Sequence, residues 1–562
     1  CQRLKVSCKA NAAEDDNIKS LETLKTSHNV VHRRKTLLGL GGLYGLTSIP
    51  SSALAYPITA PDNISDCVAA TDGVLGPESA LRGIACCPPS SAAKPKAYML
   101  PDFHELRVRP AAQRVTPEYI AKYQQAMAAM KALPDDHPHR MVHCAYCNGS
   151  YNQGMNNHPE LKIQVHNNWL FYPFHRWYLY FYERILGKLI NDPTFALPYW
   201  NWDNPTGMMI PAMFEAPGTN NDPRANPLFD PYRNVVHLPP AILDLQFRGI
   251  ESGASCIDQV SVNLSTMFNQ MVTSATDTDS FFGTDPNAPN PIVGTIERGA
   301  HISMHAWVGN PRLPNREDMG NFYSAGYDPL FYSHHSNVDR MWKIWKDLNS
   351  KGHLEPTSQD WLNASYVFYD ENEELVRVYN KDCVDINKMG YDYERTALPW
   401  IQSRPTPRVK GSNVVAKSIG TVKKVKDVKF PLKLDKTVKV LVKRPATNRT
   451  KADKEKANEM LFLNGITFNS EMFLKFDVLV NDVDDGIETT AASSEFAGTF
   501  SQVPHKHGDK MLMTSGAAFG ITELLEDMEA EGDEYLLVTL VPQSGTDDAT
   551  VSEIKIQLVP II

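Results

Sequence analysis

The sequence predicts an α + β multidomain protein in which a mainly α-helical domain precedes an antiparallel β-sandwich or β-barrel. Helix-type signals dominate residues 98–395, and the clearest helices are predicted at 117–133, 169–190 and 334–348. In the last ~130 residues apolar and polar side chains alternate, which is typical of strands with one buried face. The alternating segments are 437–442, 473–480, 535–541 and 551–559.

The length and charge of the chain restrict its class. With 562 residues it is too long for one compact core, so two domains and additional processed segments are expected. It carries 65 acidic and 56 basic residues, and no basic stripe interleaved with aromatic residues indicates a nucleic-acid surface. These features favour a small-molecule partner and argue against nucleic-acid binding.

Residues 1–55 have the pattern of targeting segments. A basic pair, Arg33 and Arg34, precedes the short apolar stretch 37–46. A cleavage site of small residues follows and ends at Ala55. This order is typical of a twin-arginine transfer signal, and the stretch is too short for a stable membrane span. The part before it is interpreted as the end of an organelle transit peptide. A buried core helix is the alternative interpretation of the apolar stretch.

Three further segments are predicted after the targeting region. Residues 56–400 are expected to form the helical domain, with an N-terminal arm held by cysteines. Within it, 203–296 is rich in Pro, Asn, Asp and Gly and is expected to form long loops. In 401–430 Pro, Lys, Ser and Gly dominate, which indicates an exposed linker and a site for proteolysis. The β-rich domain is predicted at 431–562.

Histidines in two groups of three indicate the chemistry. In the second group His301 and His305 are four residues apart, so on a helix both project from one face, as two ligands of one metal ion must. The third member is His335, one helical turn before Asp339, an acid that could orient a ligating ring. The neighbouring His334 is the alternative third ligand.

The first group, His143, His166 and His175, requires a different arrangement. His166 and His175 are nine residues apart and would lie on opposite sides of one continuous helix. Pro173 is well tolerated in the first turn of a helix, which places His175 just inside a helix and His166 on the segment before it. Three neutral imidazoles per group, without a carboxylate, suit copper or zinc better than calcium or magnesium.

Seven motifs connect the chain to a known family. Five of them surround the histidine groups: HCAYC at 143–147, HNNWLFYPFHRW at 166–177, LPYWNWD at 197–203, NFYS at 321–324 and HHSNVDRMW at 334–342. Two more lie towards the C-terminus, DWL at 360–362 and KFDV at 475–478. Together they resemble the plant polyphenol oxidases, the catechol oxidases and tyrosinases with a coupled dinuclear type-3 copper centre. The resemblance covers the whole chain.

The resemblance implies both a fold and an activity. It implies a four-helix bundle around two copper ions per chain, each held by one histidine group, and oxidation of o-diphenols to o-quinones while O2 is reduced to water. Weaker monophenol hydroxylation is a further expectation. It also implies a latent precursor in the plastid thylakoid lumen, in which the C-terminal domain covers the copper site until a protease cuts the linker. The alternatives are a hemocyanin-like oxygen carrier and a zinc-stabilised structural protein.

The resemblance also implies covalent links near the first histidine group. They are the disulfides Cys67–Cys87 and Cys86–Cys144, and a thioether between Cys147 and the ring of His166. From the residues alone, cysteine connectivity is open and Cys147 is a possible thiolate ligand. Cys256 and Cys383 are expected to be free and buried.

Four residues match positions that shape the active site in this family. Glu297 matches the water-holding glutamate, and Phe322 matches the aromatic gate residue over the first copper. Ile302 stands where some relatives have an asparagine that helps to deprotonate monophenols, so the chain is expected to favour diphenols. Ala306 leaves room above the metal and provides no charge that would select a substrate carboxylate.

Overall fold

The computed structural model describes most of the chain after the targeting region. The described residues are 57–67, 87–89, 91, 93–134, 137, 142–147, 151–153, 158–215, 225–251, 253–348, 352–408, 420–483, 488–505 and 512–561. Only the backbone is described for 66, 142–144, 152–153 and 158–162. The predicted targeting region 1–55 lies outside the described residues.

The N-terminal half is mainly helical. Its α-helices are α1 (Pro117–Lys131), α2 (Val142–Cys147), α3 (Phe171–Leu189), α4 (Cys256–Phe268), α5 (Thr278–Phe282), α6 (Ile302–Val308), α7 (Pro329–Asp347) and α8 (Gln359–Leu362). Two π-helices, Asn269–Thr273 and Glu297–His301, directly follow α4 and precede α6. The three predicted helices are confirmed in α1, α3 and α7, whereas α4 and α5 lie in the region that was expected to be loops.

Local sequence explains where the long helices begin. The side chain of Thr116 accepts a hydrogen bond from the backbone of Tyr119 at the start of α1, and that of Asp328 caps α7 in the same way at Leu330. Proline occupies the first turn of α1, α3 and α7, where no backbone donor is needed. α3 is aromatic and almost entirely buried, and it packs against α1 and α7. These helices form the centre of the helical part, residues 57–408.

Short sheets border the helical part. They are formed by β1 (Lys96–Ala97), β2 (Arg107–Arg109), β3 (Asn152–Gln153), β4 (His158–Lys162), β5 (Ser365–Tyr369), β6 (Leu375–Tyr379) and β7 (Tyr391–Tyr393). β1, β6 and β5 form a three-stranded sheet, and β2 pairs in parallel with β7. β7 therefore brings its tyrosines next to the core of the helical part.

The C-terminal region, residues 420–561, is the β-rich part. Its elements are β8 (Leu432–Lys433), β9 (Val438–Lys443), α9 (Lys451–Lys454), β10 (Ala457–Asn469), β11 (Leu474–Val480), β12 (Phe496–Gln502), β13 (Leu512–Gly520), α10 (Thr522–Asp527), β14 (Tyr535–Ser544), β15 (Thr550–Val551) and β16 (Glu553–Pro560). The alternating segments of the sequence are thereby confirmed as β9, β11, β14 and β15–β16.

Two antiparallel sheets build the β-rich part. One has the order β12-β11-β14-β9, and the other contains β13-β10-β15-β8 with β16 also paired to β10. Phe468 of β10 and Phe500 of β12 face each other across the two sheets, with ring centroids 5.8 Å apart. The separate sheets, which share one apolar core, agree with the predicted sandwich and not with a closed barrel.

The β-rich part packs directly on the π-helix Glu297–His301. The guanidinium of Arg298 donates hydrogen bonds of 2.6 and 2.7 Å to the carbonyl oxygens of Thr499 and Ala518. Val503 of the β-rich part belongs to the apolar core of the helical part. No helix among the described residues has the length and apolar character that a membrane crossing requires.

Candidate metal centre

The first histidine group enters the site at the start of α3. His166 lies before the helix and His175 lies in its second turn, as the position of Pro173 predicted, and their ring centroids are 5.1 Å apart. Nδ1 of His175 lies 2.7 Å from the carbonyl oxygen of Phe171, which can only accept a hydrogen bond. Nδ1 therefore carries the proton and Nε2 keeps its lone pair. His143 belongs to α2, but its side chain lies outside the described residues.

The second group is held at the junction of a π-helix and an α-helix. His301 ends the π-helix, His305 lies in α6, and their ring centroids are 4.6 Å apart. Nδ1 of His301 lies 3.1 Å from the carbonyl oxygen of Glu297, and Nδ1 of His305 lies 2.7 Å from that of Met319. In both rings Nε2 thus carries the lone pair, and it is the atom that a metal would take.

α7 adds two adjacent imidazoles to the site. Nε2 of His335 lies 3.3 Å from Nε2 of His305, and its ring stacks on His175 with centroids 4.2 Å apart. The ring of His334 stacks on His301 with centroids 5.5 Å apart. One ligand atom from each of His301, His305, His334 and His335 lies within 4.8 Å of the others. The structure therefore brings both candidates for the third ligand into the site.

Burial keeps these imidazoles neutral. Desolvation lowers the pKa of His175 to about 3 and the pKa of His305 to about 4. Burial and the neighbouring imidazoles lower the pKa of His301 and His335 well below the usual range. The cluster on α6 and α7 contains no carboxylate among the described residues. Neutral imidazoles with exposed lone pairs are the form in which histidine binds copper or zinc, so the donor set fits copper.

Glu297 lies beside the histidines with one oxygen unused. The residue is 1% exposed, and its Oε1 accepts a hydrogen bond of 2.5 Å from the backbone N–H of Asn167. Its Oε2 is buried and has no hydrogen-bond partner among the described residues. Burial raises the pKa of Glu297 well above the usual range, and the Asn167 hydrogen bond offsets only part of this effect.

Apolar side chains close the site around the imidazoles. The ring of Phe322 stacks on His166, with centroids 3.8 Å apart and planes inclined by 14°. Ile302 and Ala306 each follow a histidine of the second group and are buried. All three lie next to the candidate ligands in space or in sequence, and none brings a charge to them.

Comparisons with known proteins decide the family. Three family models match the chain: the common central domain of tyrosinase at 119–348, the polyphenol oxidase middle domain at 355–406 and the chloroplastic polyphenol oxidase C-terminal domain at 430–558. A chloroplastic polyphenol oxidase of Malus domestica is 44% identical over 566 residues, which cover 96% of this chain and 90% of that protein. The chain belongs to the plant polyphenol oxidase family.

Two other relatives show how widely this polyphenol oxidase family extends. The chloroplastic (+)-larreatricin hydroxylase of Larrea tridentata is 44% identical over 99% of this chain and 94% of that protein. A solved structure of latent aurone synthase, described as a polyphenol oxidase, has a TM-score of 0.84 and 49% identity, and covers 90% of this chain and 100% of that one. The tyrosinase domain implies a dinuclear copper centre, in agreement with the histidine cluster.

The role expected for Asp339 requires a correction. Its carboxylate accepts hydrogen bonds from Nε of Arg176 at 2.5 Å and from the hydroxyls of Tyr391 and Tyr393 at 2.6 and 2.5 Å. Nδ1 of His335 has no hydrogen-bond partner among the described residues. The helical spacing brought the acid near the ring, but donors from α3 and β7 occupy its oxygens instead.

The side chain of Asp339 stays ionised to a lower pH than an ordinary aspartate. Burial opposes the ionisation of Asp339, but Arg176 and Arg109 outweigh it and lower the pKa of this carboxyl. The ion pairs join α7 to α3 through Arg176 and to β2 through Arg109. Asp339 thus fixes the helix that carries His334 and His335.

The cysteines agree only in part with the expectations. The disulfide Cys67–Cys87 is confirmed, with Cα atoms 5.6 Å apart, and Cys383 is confirmed as a free buried thiol. Cys86 and the side chain of Cys144 lie outside the described residues. Cys256 was expected to be free and buried, which is wrong. It is half-buried and disulfide-bonded.

Cys147 and His166 share one neighbour. Cys147 is fully buried at the end of α2, and its carbonyl oxygen accepts a hydrogen bond of 2.6 Å from Nε2 of Gln164. Oε1 of the same Gln164 accepts a hydrogen bond of 3.0 Å from the backbone N–H of His166. The side chain of Gln164 therefore ties the two predicted thioether partners together, and the thioether itself stays a prediction.

Sequence reasoning missed the position of His505 beside the candidate metal centre. His505 follows β12, and its ring centroid lies 5.2 Å from that of Phe322. Its Nε2 lies 2.8 Å from the sulfur of Met513. In the sequence, His505-Lys506-His507 looks like a metal-binding pair with the alternation of a strand, and no signal indicates which surface this segment covers.

Proposed function

We propose that the chain is a latent copper oxidase that converts o-diphenols to o-quinones and reduces O2 to water, with weaker hydroxylation of monophenols. The observation that supports it most is the convergence of buried imidazoles from the segment before α3, from α3 itself, from the π-helix–α6 junction and from α7. In a polyphenol oxidase, this donor set suits two copper ions.

The proposed ligands are two trios on separate elements. His143, His166 and His175 would hold one copper ion, and His301, His305 and His335 would hold the other. His335 is preferred to His334 because its Nε2 approaches that of His305 to 3.3 Å, as expected for two ligands of one ion. We place the two ions in a core of four helices, α2, α3, α6 and α7. The thioether between Cys147 and His166 would hold the His166 ring rigid.

The electron balance of the reaction fits a two-metal site. When bound, a pair of copper ions would pass electrons two at a time, two from each of two diphenols, so that one O2 receives four in each complete cycle. Two diphenols release four electrons and four protons, and O2 consumes both sets to give two waters. The protein must hold the histidine rings in place and prevent side reactions.

Glu297 is the proposed proton-handling residue. A phenol binds a metal well only after it loses its proton, so a base or a held water must lie nearby. Oε2 of Glu297 has no partner among the described residues, and Oε1 is fixed by Asn167. We propose that Oε2 holds a water through which the phenolic proton passes to the ionised carboxylate of Glu297.

The walls of the site favour diphenols. Phe322 would position the substrate ring by stacking, since it is itself fixed against His166. Ile302 offers no polar atom for deprotonating a monophenol, and Ala306 leaves space without a charge. The curated relatives do not decide this point, because a polyphenol oxidase and a hydroxylase are both 44% identical to the chain.

Latency is proposed to come from the β-rich part. Residues 56–400 would form the catalytic domain, 401–430 the linker that an activating protease cuts, and 431–562 the shielding domain. Val503 and Phe473 of the β-rich part join the core of the helical part, and His505 covers Phe322. Relatives are named chloroplastic, which supports a plastid location, and residues 1–55 favour the thylakoid lumen.

Oxygen uptake tests the proposed function. The copper-loaded chain is supplied with a matched pair, 4-methylcatechol and 4-methylphenol, before and after proteolysis of the linker. We expect fast uptake with the diphenol after proteolysis, and slow uptake with a lag for the monophenol. Reversible oxygenation without quinone formation would instead indicate an oxygen carrier.

A further inference from the structure

We propose that Arg316 forms an anion-binding subsite at the mouth of the metal centre, which selects o-diphenols that carry a carboxylate. The subsite lies in a cavity of about 520 Å³ between residues 311–321 and the β-rich part. The inference rests on the proposed oxidase function and names the class of phenol that the site takes.

The cavity lies next to the gate residue. His505 lines it, and the His505 ring centroid is 5.2 Å from that of Phe322, which in turn stacks on His166. Met472 and Phe473 of the β-rich part provide an apolar wall. A volume of this size is typical of small-molecule sites. The cavity therefore suits an aromatic ligand beside the gate residue.

Arg316 faces this cavity with its donors unused. Its guanidinium makes no hydrogen bond or ion pair with any described residue, although Nη1 is shielded from solvent. The group lies over the ring of Phe473, 5.5 Å from the centroid. Burial lowers the pKa of Arg316, and no neighbouring carboxylate offsets this effect. A half-buried arginine stays protonated at neutral pH, so an incoming anion would satisfy donors that the protein leaves unpaired.

The backbone fixes Arg316 in a conformation that its side chain does not favour. Its φ of 57° lies in the left-handed region, and its carbonyl oxygen accepts a hydrogen bond of 3.1 Å from the backbone of Gly320. A glycine would adopt this turn without strain, so the turn itself does not require an arginine. Strained residues of this kind cluster at active sites, ligand clamps and switch regions.

The other charges around the cavity also favour an anion. Arg312 lines the cavity as a second guanidinium, and the exposed Glu471 is the only carboxylate in the described lining. A planar guanidinium can bind a carboxylate through two parallel hydrogen bonds, which a lysine cannot reproduce. Arg316 belongs to the helical part, whereas Met472, Phe473 and His505 belong to the β-rich part, so the cavity joins the two.

Calorimetry on the full-length, copper-loaded chain tests the subsite without turnover. The probes are 3-phenylpropanoate and 3-phenylpropanamide at pH 7, which share a shape and differ in charge. We expect the carboxylate to bind about tenfold more tightly, the effect of about one charge-assisted hydrogen bond. Arg316→Gln should abolish this preference and Arg316→Lys should keep part of it. Equal binding of both probes to the unaltered chain would overturn the proposal.

Two variants exclude trivial explanations of that result. Arg316→Gly removes the guanidinium while relieving the backbone, so it should lose the preference without loss of stability. Arg395→Gln removes an exposed arginine that does not line the cavity, and it should bind both probes as the unaltered chain does. A carboxylate preference that survives in Arg316→Gly would contradict the assignment.

Steady-state kinetics distinguish a failure of the proposed subsite from a failure of the proposed oxidase function. With 3-(3,4-dihydroxyphenyl)propanoate, Arg316→Gln should raise KM about tenfold and leave kcat unchanged. The methyl ester should show no change in KM. If both are oxidised and the variant leaves the acid's KM unchanged, the subsite is wrong while the oxidase stands. If neither is oxidised, the proposed function fails, and calorimetry still decides whether the anion binds.

Discussion

The ring of His505 lies 5.2 Å from the ring of Phe322, so a residue of the β-rich part covers the aromatic wall of the metal centre. Phe322 in turn stacks on the candidate ligand His166. This contact joins the β-rich part to the candidate metal centre, and it gives the proposed latency a structural basis.

His505→Ala should increase the basal activity of the full-length chain. One aromatic contact is worth about 0.5–1.5 kcal/mol, so its loss should raise oxygen uptake with 4-methylcatechol about two- to tenfold. His104→Ala removes an exposed histidine of the helical part and is the matched control. If His505→Ala is as inactive as the unaltered chain while proteolysis still activates it, the covering contact does not limit access.

Glu297→Gln should impair turnover without loss of metal. The variant keeps the shape and the acceptor for the Asn167 N–H but weakens the proton-handling oxygen, and such residues contribute about 10²–10⁴-fold to rates. Oxygen uptake and copper analysis on the same preparation check this expectation. Loss of copper together with activity would show that the residue has a structural role.

Asp339→Asn should destabilise the fold and leave copper bound. Removing one partner of a buried ion pair costs about 3–5 kcal/mol, here at the contacts with Arg176 and Arg109. Chemical denaturation measures the loss, and metal analysis of the folded fraction measures the copper. If copper is lost while stability is unchanged, the carboxylate orients the His335 ring after all.

The pKa of Asp339 gives this contribution a pH dependence. Its folded-state pKa is lowered, so the stabilisation is complete above the unfolded-state pKa of about 3.9 and is lost as the pH falls through the folded-state value. The free energy of unfolding of the unaltered chain should therefore fall more steeply with acid below about pH 4 than that of Asp339→Asn. Parallel curves for the two proteins would contradict this assignment.

Ile302→Asn should shift the enzyme towards monophenols. The amide would place a polar atom next to His301, where it can help to deprotonate a phenol. We expect the ratio of monophenol to diphenol turnover to rise and the lag to shorten, as measured by oxygen uptake. A brisk monophenol reaction without a lag in the unaltered chain would show that the interpretation of Ile302 is wrong.

Local patterns in the sequence identified the candidate histidines. The side chains that contact the site from distant segments of the chain could not be predicted. His301 and His305 share one helix face by spacing alone, and Pro173 placed His175 correctly at the start of α3. The donors to Asp339 come from α3 and β7, and the side chain over Phe322 comes from the β-rich part. No periodicity in the sequence encodes contacts between segments so far apart.

The missed elements have physical reasons. α4 begins at a good cap, Ser255, but the loop-like composition around it outweighed that signal. β10 does not alternate strictly, because its pairing with β13 shifts register between Leu463 and Ile466 around Gly465, whose φ is 62°. β12 is buried on both faces, so period-2 alternation is lost there.

The third ligand of the second copper ion can be assigned by a pair of variants. His335→Ala should retain about one copper ion per chain, since the second ion would lose one of its three ligands. His334→Ala should retain two, although its ring lies in the same cluster. The reverse pattern would assign His334 as the ligand.

Metal analysis of the folded, full-length chain tests the central claim most directly. Two imidazole trios should hold two copper ions per polypeptide, and treatment with a chelator should remove both ions together with diphenol oxidation. A single copper ion per chain, or zinc in place of copper, would contradict the account.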